Sequence, residues 1–140
     1  MFVDKQLLIS DAQAPSANGN NYSTYSIDLS VARNVAKGKP LFLVVVVDVL
    51  FAGTGTTMQI RVLSATAENL VTNQKILVET PAIAKASLTA GRTPIVLALP
   101  PLPESGGAQQ YIGANYFTDN TFETTGKVTA FFTSEPETNY

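Results

Sequence analysis

Residues 40–51 read Pro-Leu-Phe-Leu-Val-Val-Val-Val-Asp-Val-Leu-Phe, and no other stretch limits the fold as tightly. β-Branched side chains lose rotamer freedom in a helix but pack well on a pleated surface, so the segment is a strand. Alternation sends Leu41, Leu43, Val45, Val47 and Val49 to one face and Phe42, Val44, Val46, Asp48 and Leu50 to the other. Only Asp48 is polar among these ten, which requires a central strand covered on both sides. One cover is the domain core. The other is a second layer, supplied by this chain or by a partner. The uninterrupted apolar run, Leu41 to Val47, has seven residues. A bilayer span needs roughly 20, so no membrane role is expected.

The remaining apolar segments are short and bounded by turn formers. Residues 3–11 fit neither the helical nor the strand period, so residues 1–13 read as an arm. Residues 14–23, with Pro15, Asn18-Gly19 and Asn20-Asn21, read as a surface loop. Tyr22, Tyr25, Ile27 and Leu29, with Ser and Thr between them, predict a half-buried strand ending at Ser30. Residues 31–36 suit one helical turn before Gly38. Gly53-Thr54-Gly55 reads as a hairpin turn into a return strand, Thr56 to Ser64, with Met58, Ile60 and Val62 inward and Gln59 and Arg61 outward. Residues 65–73 read as a polar connection, 75–80 as a strand, and 81–91 as a stretch with room for one helical turn. Residues 94–99 form another strand, stopped by Pro100-Pro101-Leu102-Pro103 because proline cannot donate to a ladder. Residues 109–117 and 127–133 supply the last strands, and 135–140 a frayed tail. The expectation is a single all-β domain, residues 1–140: an antiparallel two-sheet sandwich, jelly-roll-like, of seven to eight strands and no long helix.

The chain carries nine Lys+Arg and eleven Asp+Glu, a net charge of −2, with 14% charged residues. An average soluble domain has roughly 25%, so no clustered basic face is available for nucleic acid. A lightly charged surface also suits partners that cover part of it. Cysteine and histidine are both absent. That excludes disulfides, thiolate zinc sites, cysteine nucleophiles and histidine bases within one chain. Gly53-Thr54-Gly55-Thr56-Thr57 lacks the Gly-Lys-Ser/Thr continuation and the helix of a phosphate loop. Asp48 reads as an acid paired with a Lys, an Arg or a backbone N–H at the sheet rim, since no second ligand stands near it in sequence. Asp4 with Asp11, and Glu135 with Glu137, lack calcium-loop spacing, and no carboxylate pair is singled out for glycoside hydrolysis. Neither catalysis, nor a cofactor, nor a metal is expected. Asn21-Tyr22-Ser23 matches the glycosylation triplet, which is common by chance. The tyrosines lack interleaved basic residues and read as core or interface aromatics. The start, Met1-Phe2-Val3-Asp4-Lys5, has no basic and apolar secretory leader, so synthesis in the cytoplasm is expected.

Several stretches, taken in order, carry a resemblance. They are residues 7–14 (Leu-Leu-Ile-Ser-Asp-Ala-Gln-Ala), Ser26-Ile27-Asp28-Leu29 with Ala32-Arg33, residues 38–45 (Gly-Lys-Pro-Leu-Phe-Leu-Val-Val), Ser64-Ala65-Thr66-Ala67, residues 81–88 (Pro-Ala-Ile-Ala-Lys-Ala-Ser-Leu), Tyr111-Ile112 with Asn115-Tyr116, and residues 125–131 (Thr-Gly-Lys-Val-Thr-Ala-Phe). In this order and spacing the chain resembles the capsid cement (decoration) proteins of tailed bacteriophages of the Bordetella-phage type. Gly113 departs from the pattern, standing where a basic residue is expected. The resemblance implies a jelly-roll-like sandwich on the outer surface of an icosahedral phage head, clamping neighbouring major capsid subunits and stabilising the expanded shell. The rival class is a carbohydrate- or receptor-binding sandwich module.

Two expectations about contacts follow from the residues. The arm has apolar side chains, Phe2, Val3, Leu7, Leu8 and Ile9, without a period that docks them in a core, and the loop offers amide groups at Asn20 and Asn21 beside Tyr22. These eight residues are the candidate contacts to capsid or sister subunit; the alternative for the arm is an edge strand completing the sandwich. A strand apolar on both faces also points to a homo-oligomer, a homodimer ahead of a homotrimer.

Overall fold

The computed structural model describes residues 5–29, 41–99 and 110–134. A 3-10 turn, η1 (Lys5–Leu7), leads into β1 (Leu8–Gln13), β2 (Ile27–Asp28), β3 (Leu41–Val49), β4 (Thr57–Ala65), β5 (Lys75–Glu79) and β6 (Ile83–Ala84). A second 3-10 turn, η2 (Lys85–Ser87), precedes β7 (Ile95–Leu99), β8 (Tyr111–Thr118) and β9 (Lys127–Thr133). No α-helix occurs among the described residues. The predicted turn at 31–36, the proline stop at 100–103 and the tail at 135–140 lie outside them.

The strands form two antiparallel sheets, in the orders β1-β9-β3-β7 and β2-β8-β4-β5, with β6 beside β4. The rule behind this order is nesting. β4 pairs with β5, β3 with β7, β2 with β8 and β1 with β9. Those four pairs form one folded-back ribbon, and rolling it up brings β9 beside β3 and β8 beside β4. The result is the double-sheet jelly roll expected from the sequence. The described residues hold nine strands rather than seven or eight, because the arm contributes β1 and a two-residue β6 pairs with the start of β4.

β3 is an interior strand, flanked by β9 and β7, as its composition demands. Leu43, Val45 and Val47 point into the core, while Val44 on the opposite face is also fully buried. Phe132 of the neighbouring β9 joins them, and Met58, Ile60 and Val62 of β4 with Ile112, Ala114 and Tyr116 of β8 meet them from the other sheet. Asp48 is exposed and accepts a hydrogen bond from the Thr129 hydroxyl at 2.5 Å, a neutral partner in place of the Lys, Arg or backbone N–H expected of it.

The Gly53 segment is not a hairpin turn. Both edges of β3 are taken, so the chain crosses to the opposite sheet before β4 starts. Gly53 makes that crossing at φ +108°, where a Cβ would lie 2.7 Å from the Glu123 nitrogen. Only glycine fits such a left-handed, crowded position. Phe51 and Phe122 close the core beneath it, edge to face with centroids 5.4 Å apart.

Residues 65–73 are also more than a polar connection. Leu70 is fully buried and caps Leu63 and Ala65 on the outer face of the second sheet, with Tyr22 and Tyr111 packed around them. The domain therefore has a main core between the sheets and a small second one outside.

Asp119, just past β8, ties the start of β4. The Thr56 hydroxyl donates to one of its oxygens, and the backbone N–H groups of Thr57 and Thr56 donate to the other at 3.0 and 2.8 Å. These bonds, that from the Thr56 hydroxyl first, hold the carboxyl down to about 2. A depressed folded-state value stabilises the fold above the unfolded value of about 3.9 and is lost as pH falls toward 2. Urea midpoints measured from pH 5 to pH 2 are expected to fall less steeply in Asp119→Asn than in the parent.

Candidate interaction surface

Of the two readings of the arm, a contact element or an edge strand completing the sandwich, the structure shows the second: the arm forms β1, the edge of the four-stranded sheet. Its alternation is hidden by register shifts against β9 on both sides of Ser10, and Ala12, within the second, takes a positive φ of 47°. Ile9 is fully buried in the main core, and Leu7 packs against that core half-buried. Leu8 lies opposite Phe131 and is half-buried at the margin. Phe2 and Val3 lie outside the described residues.

Residues 14–23 run along the free edge of β8 as a stitched border. Gly19 exchanges two backbone hydrogen bonds with Thr118, Tyr116 donates its N–H to the Asn21 carbonyl at 2.8 Å, and Ser23 donates to the Ala114 carbonyl at 2.8 Å. The Asn21 side chain donates to the carbonyls of Ala17, Gly19 and Tyr116 and accepts from the Ala17 N–H. Asn20 accepts from the buried Asn115 side chain at 2.9 Å. Tyr22 packs on the small outer core, and its hydroxyl accepts a bond from Gln74. The amides expected to be open are therefore largely occupied. They blunt a sheet edge that would otherwise carry unpaired groups.

Gln13 clasps β1 to this border. Its Oε1 accepts from the Ser10 hydroxyl at 2.7 Å and from the Thr24 N–H at 2.9 Å, and its Nε2 donates to the Tyr22 carbonyl at 2.7 Å. Beyond the clasp, the Tyr25 N–H donates to the Ile9 carbonyl at 2.9 Å, which turns the tyrosine ring outward. Tyr25 is 58% exposed, the most exposed large hydrophobic side chain among the described residues.

The open surface here is consequently different from the predicted one. Residues 24–26 form a ridge between two shallow clefts of about 420 and 450 Å³. Gln6, Leu8, Asp11, Tyr25 and Ser26 line the first; Thr24, Ala67, Glu68 and Asn69 line the second. The Ser26 hydroxyl joins ridge to loop by donating to the Glu68 carbonyl at 3.0 Å. Of the predicted contacts, Leu8 borders this surface directly, while Asn20 is exposed on the neighbouring border. Tyr25 was missed because it shares parity with Ile27 and Leu29, which do pack on the core. Its polar neighbours, Thr24 and Ser26, were the available signal. Among the described residues, no group of three or more acidic side chains is placed to hold a metal ion, and no helix is long and apolar enough to cross a membrane.

Comparison with known protein families gives a match to the family Bbp16 over residues 9–132, from the second residue of β1 to the penultimate residue of β9. A search of curated proteins returned no match.

Proposed function

The chain belongs to the Bbp16 family, a phage-related family of the Bordetella-phage type, and on that premise we propose that it is a capsid cement protein. In this reading it binds the outer surface of an icosahedral phage head as a homo-oligomer, a dimer ahead of a trimer, and bridges neighbouring major capsid subunits. The observation that carries the reading is the extent of the match: the rolled sandwich, nearly end to end, is the family unit. A lightly charged surface supports it, since many neutral contacts repeated over a lattice need no catalytic group.

Its action is linkage. A protein that binds the expanded shell better than the unexpanded one lowers the free energy of the expanded state by RT ln(1 + [L]/Kd) per site. Modest affinity per copy suffices, because the copies add over the shell. Co-sedimentation with expanded and unexpanded heads of the same phage tests this. Saturable binding confined to expanded heads is expected, and equal binding to both, or none, contradicts it.

A second reading has one observation in its favour. An exposed tyrosine beside a carboxylate, an amide and a hydroxyl, as in the Tyr25 cleft, is a surface on which a sugar ring stacks and hydrogen-bonds. Glycan-array hits that disappear in Tyr25→Ala would favour a carbohydrate-binding module.

A further inference from the structure

The two sides of the sandwich treat their edges differently. On the β1 side, the outer edge is bulged, carries a positive-φ alanine, and is already engaged by the Tyr25 N–H. On the opposite side lie the edges of β5 and β7, which pack against each other across the sandwich. β7 pairs with β3 through five consecutive residues without a register shift, and its sequence, Ile-Val-Leu-Ala-Leu, holds no charge and no proline. Among the described residues, no backbone hydrogen bond reaches its outer edge. Such an edge, regular and apolar over the five residues between Pro94 and Pro100, is a template for another short strand.

We propose that the protein pairs with a second copy of itself through this side, β7 against β7 antiparallel, with β5 facing β5. This rests on the homo-oligomer reading above and assigns its surface. The argument is self-complementarity. A two-fold axis at Leu97 sets Ile95 opposite the partner's Leu99 and Val96 opposite the partner's Ala98, apolar against apolar at every position. The same axis reverses β5, whose five residues run Lys-Ile-Leu-Val-Glu. This turns the basic end of β5, Lys75, toward the acidic end of its copy, where Glu79 also holds Arg61 at 3.1 Å. Ile95, Leu97, Leu77 and Val78 are packed on the core but only half-buried, and Ile76 and Val96 are 52% and 39% exposed. Pairing removes this apolar margin from water and continues the four-stranded sheet into one of eight.

The chain has no cysteine, so engineered pairs report cleanly. Val96→Cys mixed with Ala98→Cys is expected to give an intermolecular disulfide on mild oxidation, whereas Tyr25→Cys mixed with Val71→Cys is not. Val96→Lys, at an outward-facing site, is expected to weaken dimerisation at least tenfold in sedimentation equilibrium while circular dichroism stays that of the parent; Lys75→Glu, which sets like charges opposite, is expected to weaken it too. A dimeric parent that neither cross-links at 96/98 nor responds to Val96→Lys overturns the edge assignment and leaves the oligomer reading standing. A parent that stays monomeric up to high concentration overturns both. Loss of capsid binding in Val96→Lys of such a monomer would give the edge to a capsid strand.

Discussion

Replacing Tyr116 by alanine is expected to lower the unfolding free energy by about 3–5 kcal/mol, the range for removing a large buried aromatic side chain. Tyr116 is fully buried and reaches from β8 across the core to β1, where its hydroxyl lies 2.8 Å from the Ser10 hydroxyl. Ser10 gives its single hydrogen to Gln13, so Tyr116 must be the donor in that contact. Burial raises the phenol pKa far above its ordinary value, with the Ser10 bond pulling slightly the other way, so the donor stays protonated. Tyr116→Phe keeps the ring and removes only the hydroxyl, and is expected to cost about 1 kcal/mol. Urea denaturation of the two variants separates ring from hydroxyl. Equal losses would mean that the cross-sheet bond, and not the packing, holds β1 in place.

Gly113→Ala is the second large effect, expected at about 1–3 kcal/mol because a rigid site is overpacked. Gly113 is buried on the outer face of β8, and a Cβ there would lie 2.4 Å from Leu70 Cδ1 and 2.8 Å from Ser23 Oγ. Neither neighbour is free to move. Leu70 is the plug of the small outer core, and the Ser23 hydroxyl accepts the Ala114 N–H while donating to the Tyr25 carbonyl. Leu70→Ala vacates most of the space, so adding Gly113→Ala on that background should cost less than on the parent. A double-mutant cycle that is strictly additive would contradict the contact.

The long strands were legible because burial and alternation agree in them. β3 faces, the inward set Met58, Ile60 and Val62, and the span of β9 all follow from apolar residues at period two. β1 was obscured for a physical reason: bulges on both sides of Ser10 break the period, so Leu7-Leu8-Ile9 looks like an undirected apolar run. Leu70 was hidden as one apolar residue in a polar stretch, held at φ +65° by a turn no pattern announces. The pairing of β3 and β4 was misjudged since sequence adjacency favours a hairpin, whereas the rolled ribbon gives β3 its neighbours from residues 95–99 and 127–133. At the surface, the asparagines of residues 18–21 looked like open amides because a side chain that seals a sheet edge has the composition of one that turns a loop.

The account's central claim is that the protein stabilises an expanded phage shell by binding it. The most direct measurement is the temperature at which expanded heads lacking this protein break open, followed as purified protein is added back. The account predicts a rise that begins near the dissociation constant and continues with the logarithm of free protein concentration, as linkage requires. A release temperature that stays constant while the heads become fully coated would contradict it.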